Sequence, residues 1–225
     1  MSQSAPLADL KAAETRLAAA VAGFVPQLGL NRMSVEAGAK AAGMSAGERD
    51  LIAPNGAADI AAILWRGHDA VLTAPEMANT LSNMKIRDKI GHLLNARIDA
   101  FARDEKLAQR LVGFLALPLH LDLHRRLMWE TADIIWRLAG DKALDENHYT
   151  KRLIVSGILT TAMLTRLTRG AEAQAEQIRR NIEAVMQYEK FKAKLPSPSE
   201  HLLNLAASLG KLRFGQAEAS NGPAS

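Results

Sequence analysis

The sequence predicts an all-α protein, and three observations carry that reading. Hydrophobic residues make up 48% of the 225-residue chain while aromatic residues are only 4%. Ala and Leu dominate, and such residues lose little conformational freedom on entering a helix. Apolar positions recur every three to four residues, the spacing of a helix with one buried stripe, and strand-like runs of Val, Ile, Thr and Tyr are scarce.

Leu7, Leu10, Leu17, Val21, Phe24 and Leu28 mark a first helix, which Pro26 and Gly29 weaken at its end. A short helix follows over residues 34–42, closed by Gly43. Ser45 precedes Glu48 by three, the spacing at which each side chain satisfies a free amide at a helix start. That third helix ends at Pro54-Asn55-Gly56, a turn signal. A longer helix covers residues 57–73, interrupted by Pro75. Ile86, Ile90, Leu93, Arg97 and Phe101 mark the next. Leu107, Leu111, Phe114 and Leu115 mark another, stopped by Pro118. Residues 119–139 form a helix that Gly140 is placed to cap. The most apolar helix runs over residues 147–168 and ends at Gly170, and Ile178, Ile182, Val185 and Met186 carry an amphipathic one. Pro196-Ser197-Pro198 is a hinge, because proline cannot continue a helix. A final helix covers residues 199–214, and the small, polar stretch 216–225 has the composition of a disordered tail.

Charge and residue type remove several classes of function. The chain has no Cys, so disulfides, thiolate metal sites and Cys nucleophiles are excluded. A net charge of +4 suits nucleic acid or an anionic membrane and does not choose between them. The start of the chain does not read as a secretion signal, since Asp9, Lys11, Glu14 and Arg16 precede its short apolar stretch. The apolar run Leu153 to Leu167 is about 15 residues against the roughly 20 that a span needs. The expected location is therefore cytoplasmic, or peripheral to the inner membrane.

Three short helices ahead of about six longer ones match the layout of TetR-like proteins, an analogy of fold alone. Residues 33–45 resemble the front of their helix-turn-helix, with Gly43 at the tight turn and Met44 beneath. A second helix that reads DNA needs donors for phosphates and base edges. Here it offers Glu48, Arg49 and Asp50, two acids to one base. The helix-turn-helix is read as degenerate and nucleic acid is not expected as a partner. A TetR-type transcriptional regulator stays as the alternative.

Residues Trp129-Glu-Thr-Ala-Asp-Ile-Ile-Trp-Arg-Leu-Ala-Gly-Asp141, continuing to Asp145-Glu-Asn-His-Tyr-Thr-Lys-Arg152, resemble the Coq-nine family of ubiquinone-biosynthesis proteins. Its hallmark is a Trp-containing helix, an Ala-Gly-Asp turn, then an Asn-aromatic-Tyr-Thr-basic-Arg helix start. Met84-Lys-Ile-Arg-Asp-Lys-Ile90 and Ile182-Glu-Ala-Val-Met186 support it, over residues 82–190. The family often has Trp where His148 stands, and Ala143 and Leu144 replace a more polar turn. The resemblance implies a TetR-like homodimer that takes isoprenoid quinone intermediates, or phospholipid, from the membrane and presents them to a di-iron hydroxylase. Ile135, His148 and Tyr149 fall on the family's patch for that partner. Arg152 falls where a basic residue meets a lipid head group.

The residues themselves add two expectations. Leu153, Ile158 and Met163, with their apolar neighbours, cover most sides of one helix, which should then be buried nearly all round and can wall a pocket for a hydrocarbon. A plain packed core or a dimer seam is the alternative. Leu202, Leu205, Leu209 and Leu212 form an apolar stripe beyond the proline hinge, the pattern of a helix lying in a membrane surface. No catalytic role is expected: Glu-x-x-His pairs, phosphate loops, dinucleotide fingerprints and nucleophile elbows are all missing. His120 and His124, four apart, lack further metal ligands, and no metal or cofactor is called for. The predicted organisation is a TetR-like region over 1–74, a helical lipid-binding domain over 75–195, a hinge and membrane helix over 196–215, and a tail over 216–225.

Overall fold

Capping side chains set the N-terminal helices. In the computed structural model, which describes residues 4–140 and 147–192, α1 (Ser4–Ala22) is followed by a single turn, α2 (Val25–Leu28). Asn31 then starts α3 (Arg32–Ala41), its side chain accepting from the amides of Met33 and Ser34. Gly43 takes φ 67°, a left-handed value open to glycine, and turns the chain toward α4 (Ala46–Ile52). The Ser45–Glu48 box forms as its spacing predicts: the Glu48 amide donates to Ser45 Oγ at 3.2 Å, and the Ser45 amide donates to Glu48 Oε2 at 2.8 Å. The single first helix expected up to Leu28 is in fact broken at Gly23-Phe24.

After α5 (Ala57–Asp69) and a 3-10 turn (Ala70–Thr73), Pro75 opens α6 (Pro75–Leu81), a helix absent from the sequence reading. The proline sits at the first helical position, where its missing N–H costs nothing, and Ala74 before it is extended. Then come α7 (Ile86–Phe101), α8 (Glu105–Leu115), a second 3-10 turn (Pro118–His120) and α9 (Leu121–Ala139). Gly140 caps α9 in the left-handed region, φ 99°, as expected. The last helix, α10 (Asn147–Lys192), is broken at Gly170, whose φ is 85°. All the described elements are helical, so the all-α class holds. The chain divides into two compact units, Met1–Ile182 and Glu183–Ser225. The proline hinge, the helix of Leu202, Leu205, Leu209 and Leu212, and the tail lie outside the described residues.

The first unit is built round one continuous core drawn from α1 to α10. At its centre α5, α7 and α9 share a buried polar knot. Arg97 donates to the Asp69 carboxylate and to the carbonyl of Trp65, the latter at 3.1 Å. Trp65 Nε1 donates to Thr131 Oγ1 at 3.0 Å, and that hydroxyl lies 3.1 Å from both Asp69 oxygens. The Arg97 guanidinium also lies over the Trp65 ring, 4.8 Å from its centre. Burial pushes the Asp69 carboxyl up, against the pull of Arg97 and Thr131.

Two variants test this packing. A Cβ at Gly38 would stand 2.6 Å from Val21 Cα, so α1 and α3 approach too closely for any side chain there. Gly38→Ala should cost about 1–3 kcal/mol in thermal unfolding; an unchanged melting temperature would refute the contact. His68 packs edge-on against Phe101, 5.3 Å between ring centres. Burial, then Arg97 and Arg103, lowers its pKa to about 4. The unfolded chain takes up that proton near pH 6.5, so stability falls as pH drops from about 6.5 to about 4, by up to roughly 3 kcal/mol. Subtracting the profile of His68→Phe isolates this slope, and identical profiles would rule it out.

Candidate functional site at the α9–α10 junction

Trp129, Asp133 and Trp136 stand at i, i+4 and i+7 on α9, one above the other on a single face. Each holds the start of α10. Trp136 Nε1 donates to the Lys151 carbonyl at 2.8 Å, and Lys151 Nζ lies 5.5 Å from the centre of the Trp136 ring. Arg152 Nε donates to Asp133 Oδ1 at 2.6 Å, while Arg137 meets Asp133 Oδ2 at 2.6 Å. The rings of Trp129 and Tyr149 lie 5.9 Å apart, tilted by 33°. The motif that stands out in the sequence is therefore a set of interlocking contacts between two helices.

The structure separates the residues expected to act together. Tyr149 is 68% exposed. Ile135 is wholly buried in the core and contributes no surface to the patch drawn for it. His148 lies in α10, with its side chain outside the described positions. Arg152 is only 2% exposed and faces Asp133 rather than solvent, so the head-group contact drawn for it has no open surface to work from. Ile158 and Met163 are buried, but Leu153 is 68% exposed and Leu164, Gly157 and Thr161 are exposed too. The apolar helix is thus not buried nearly all round. Its inward face (Val155, Ile158, Leu159, Ala162, Met163) fills the core, and a strip of it looks outward.

The described cavities lie beside other elements. A groove of about 490 Å³ runs along α9 past Asp122, Arg125, Arg126 and Trp129, beside the Trp129–Tyr149 ring pair. A cleft of about 770 Å³ opens between α1, α5 and α9, with Lys11, Glu14, Ile63, Glu130 and Ile134 in its wall. Arg66 crosses it to Glu130 with two bonds, at 2.8 and 3.0 Å. Neither the groove nor this mixed-charge cleft was legible in the sequence, because each is assembled from distant or outward-turned residues.

The remaining candidates resolve simply. Arg49 is paired with Asp50 at 2.7 Å and Glu48 is engaged in its cap. His124 packs against Trp65 and His120 stacks on Phe114. Among the described residues no group of three or more His, Cys, Asp or Glu is arranged to hold a metal, and no helix is long and apolar enough to cross a membrane.

Residues 122–189, which span this junction, match the COQ9 family model. The chain is 24% identical over 160 residues to "Ubiquinone biosynthesis protein COQ9, mitochondrial" of Xenopus tropicalis, covering 68% of this chain and 50% of that one. It is 24% identical over 161 residues to the protein of the same name from Rattus norvegicus, covering 66% and 50%. The COQ9-A protein of Xenopus laevis is 27% identical over 151 residues, covering 64% and 47%. The chain spans about half the length of the curated relatives it matches. The family resemblance read from Trp129 to Arg152 holds, and nothing in these matches or in the structure favours the regulator alternative.

Asp133 joins the two helices through charge. Asp133→Ala takes the carboxylate from beside a buried guanidinium and should cost about 2–4 kcal/mol. Arg137→Ala, on the exposed side of the same acid, should stay within about 0.5 kcal/mol. Equal losses in chemical denaturation would refute this division.

Proposed function

We propose that this relative of the COQ9 ubiquinone-biosynthesis proteins is a non-catalytic, lipid-binding accessory protein of that pathway. It binds an isoprenoid quinone intermediate or a phospholipid at a membrane surface and presents it to a hydroxylase, which the family resemblance makes a di-iron enzyme. The observation that carries the reading is the α9–α10 junction, where the family segment and the contacts between signature residues coincide. Trp129, Asp133 and Trp136 fix the helices, and Tyr149 and Leu153 are left facing outward on that frame.

The physical roles follow from exposure. Tyr149 offers a flat amphipathic ring to a protein partner. Arg152 acts from within, setting the pitch of α10 through Asp133. The groove at Arg125, Arg126 and Trp129 offers two guanidinium groups to a polar head, with an aromatic wall beneath. Leu153, Gly157 and Leu164 provide the outward strip for a second copy in a TetR-like homodimer. The stripe of Leu202, Leu205, Leu209 and Leu212 is the membrane helix of this scheme, and the working location is the inner-membrane surface.

Lipid carriage predicts a ligand in the purified protein. Organic extraction of gently purified full-length protein, read by mass spectrometry, should release an isoprenoid quinone, its precursor or a phospholipid in near-stoichiometric amount. Protein that carries no lipid, and takes up none from a solubilised quinone, would end the reading.

A further inference from the structure

We propose that the turn between α8 and α9 is a membrane-insertion element, in which Leu117, Leu119 and Leu121 enter the acyl region of an anionic bilayer while Arg110, Arg125 and Arg126 hold its phosphates. This contact uses residues of the first unit, a different part of the chain from the stripe beyond the proline hinge. It does not depend on which lipid the protein carries.

The leucines project from a fastened turn. α8 ends at Leu115, which is fully buried. Leu117 is extended (φ −65°, ψ 141°), Pro118 opens the 3-10 turn, and α9 begins at Leu121. Phe114 stacks on His120 with ring centres 4.0 Å apart, and the His120 amide donates to the Leu117 carbonyl at 2.8 Å. On this base Leu117 is 50% exposed, Leu119 86% and Leu121 53%. Three large apolar side chains thus stand in water within five consecutive residues, although the backbone beneath them is bonded and its neighbours are packed.

The surrounding charge selects the occupant. Arg110 lies on α8, seven residues before Leu117 in the chain. Arg125 lies one turn beyond Leu121 on α9, with Arg126 beside it. All three are exposed. The nearby acid Asp122 pairs with Arg125 at 3.1 Å, but both side chains are more than 80% exposed and the pair adds little. Apolar tips with cations set back from them match the depth profile of a bilayer, acyl chains below and phosphates above. A protein partner would instead have to supply a pocket for the leucines and acids for the arginines. The turn also sits about 12 Å along α9 from Trp129, so a bilayer held at the leucines lies next to the groove that borders that residue.

The test uses the chain's lack of cysteine. Leu119→Cys in the full-length protein accepts one environment-sensitive fluorophore, and Leu51→Cys, at an exposed position on α4, is the reference. With vesicles of phosphatidylcholine and phosphatidylglycerol, the probe at 119 should shift to the blue and be quenched by brominated acyl chains, while the probe at 51 should not. Leu117→Ser with Leu119→Ser should weaken vesicle affinity on the order of tenfold or more. Arg125→Gln with Arg126→Gln should weaken it and flatten its salt dependence. Three results would overturn the proposal: a probe at 119 that stays water-like while the protein sediments with vesicles, no sedimentation with vesicles at all, or a probe already in apolar surroundings before vesicles are added. The last would mean that a protein surface covers the turn. Lipid extraction is scored separately, so this proposal and the carrier reading can fail independently.

Discussion

The arrangement of the helices depends on one buried charge pair. Asp69 on α5 and Arg97 on α7 meet in the core, and Thr131 on α9 closes the set through its hydroxyl. An arginine cannot shed its proton to escape burial, so Arg97 needs an acid wherever the chain encloses it. The pair is not a large net source of stability, because desolvation offsets much of the attraction. Its effect is on specificity. A slip of α5, α7 or α9 along its neighbour would strand a buried charge, at a cost of several kcal/mol, whereas a slip among leucines alone costs far less. Trp65 extends the constraint, donating to Thr131 while its ring lies under Arg97 and beside Phe101.

Because α9 is fixed in rotation by Thr131, its other faces are fixed as well. Leu127, Thr131 and Ile135 look inward. Trp129, Asp133 and Trp136 meet α10, and Arg125 and Arg126 face solvent. A helix with three committed faces has few positions free to vary. That is a physical reason for the most recognisable part of the sequence to fall on it. The same constraint bears on where Arg152 lies. Burial leaves the guanidinium facing Asp133, while Tyr149, one turn earlier, remains outside.

Local chemistry was legible where it is short-range. The Ser45–Glu48 box, the Gly43 turn and the Gly140 cap each involve residues within three or four positions, and each formed as read. Pro75 shows the limit: a proline that ends one helix is equally good at starting the next, and only the tertiary path distinguishes them. Arg97 gave a usable signal, a cation inside an apolar stripe at helical spacing, but its partner lies 28 residues away. Nothing local points from Arg97 to Asp69. Ile135 was placed on a surface patch by resemblance alone, and its fully buried position follows from the rotation of α9.

The apolar helix marks a deeper limit. Composition reports how much greasy surface a helix carries but not which neighbour covers it. Val155, Ile158, Leu159, Ala162 and Met163 recur at three- and four-residue spacing and face the core, whereas Leu153, Gly157, Thr161 and Leu164 share the opposite strip. A helix apolar on both faces was read as buried on both. The core covers one side, and on the other Thr161 Oγ1 accepts from Asn181 Nδ2 at 3.2 Å. The same reasoning applies to Leu117, Leu119 and Leu121. In sequence Leu119 and Leu121 read as the start of the helix over residues 119–139, but the turn at Pro118 leaves them, with Leu117, exposed. Apolar residues held outside by a well-bonded backbone are what the proposed bilayer contact would cover, and the arginines around the turn match the charge of its phosphates.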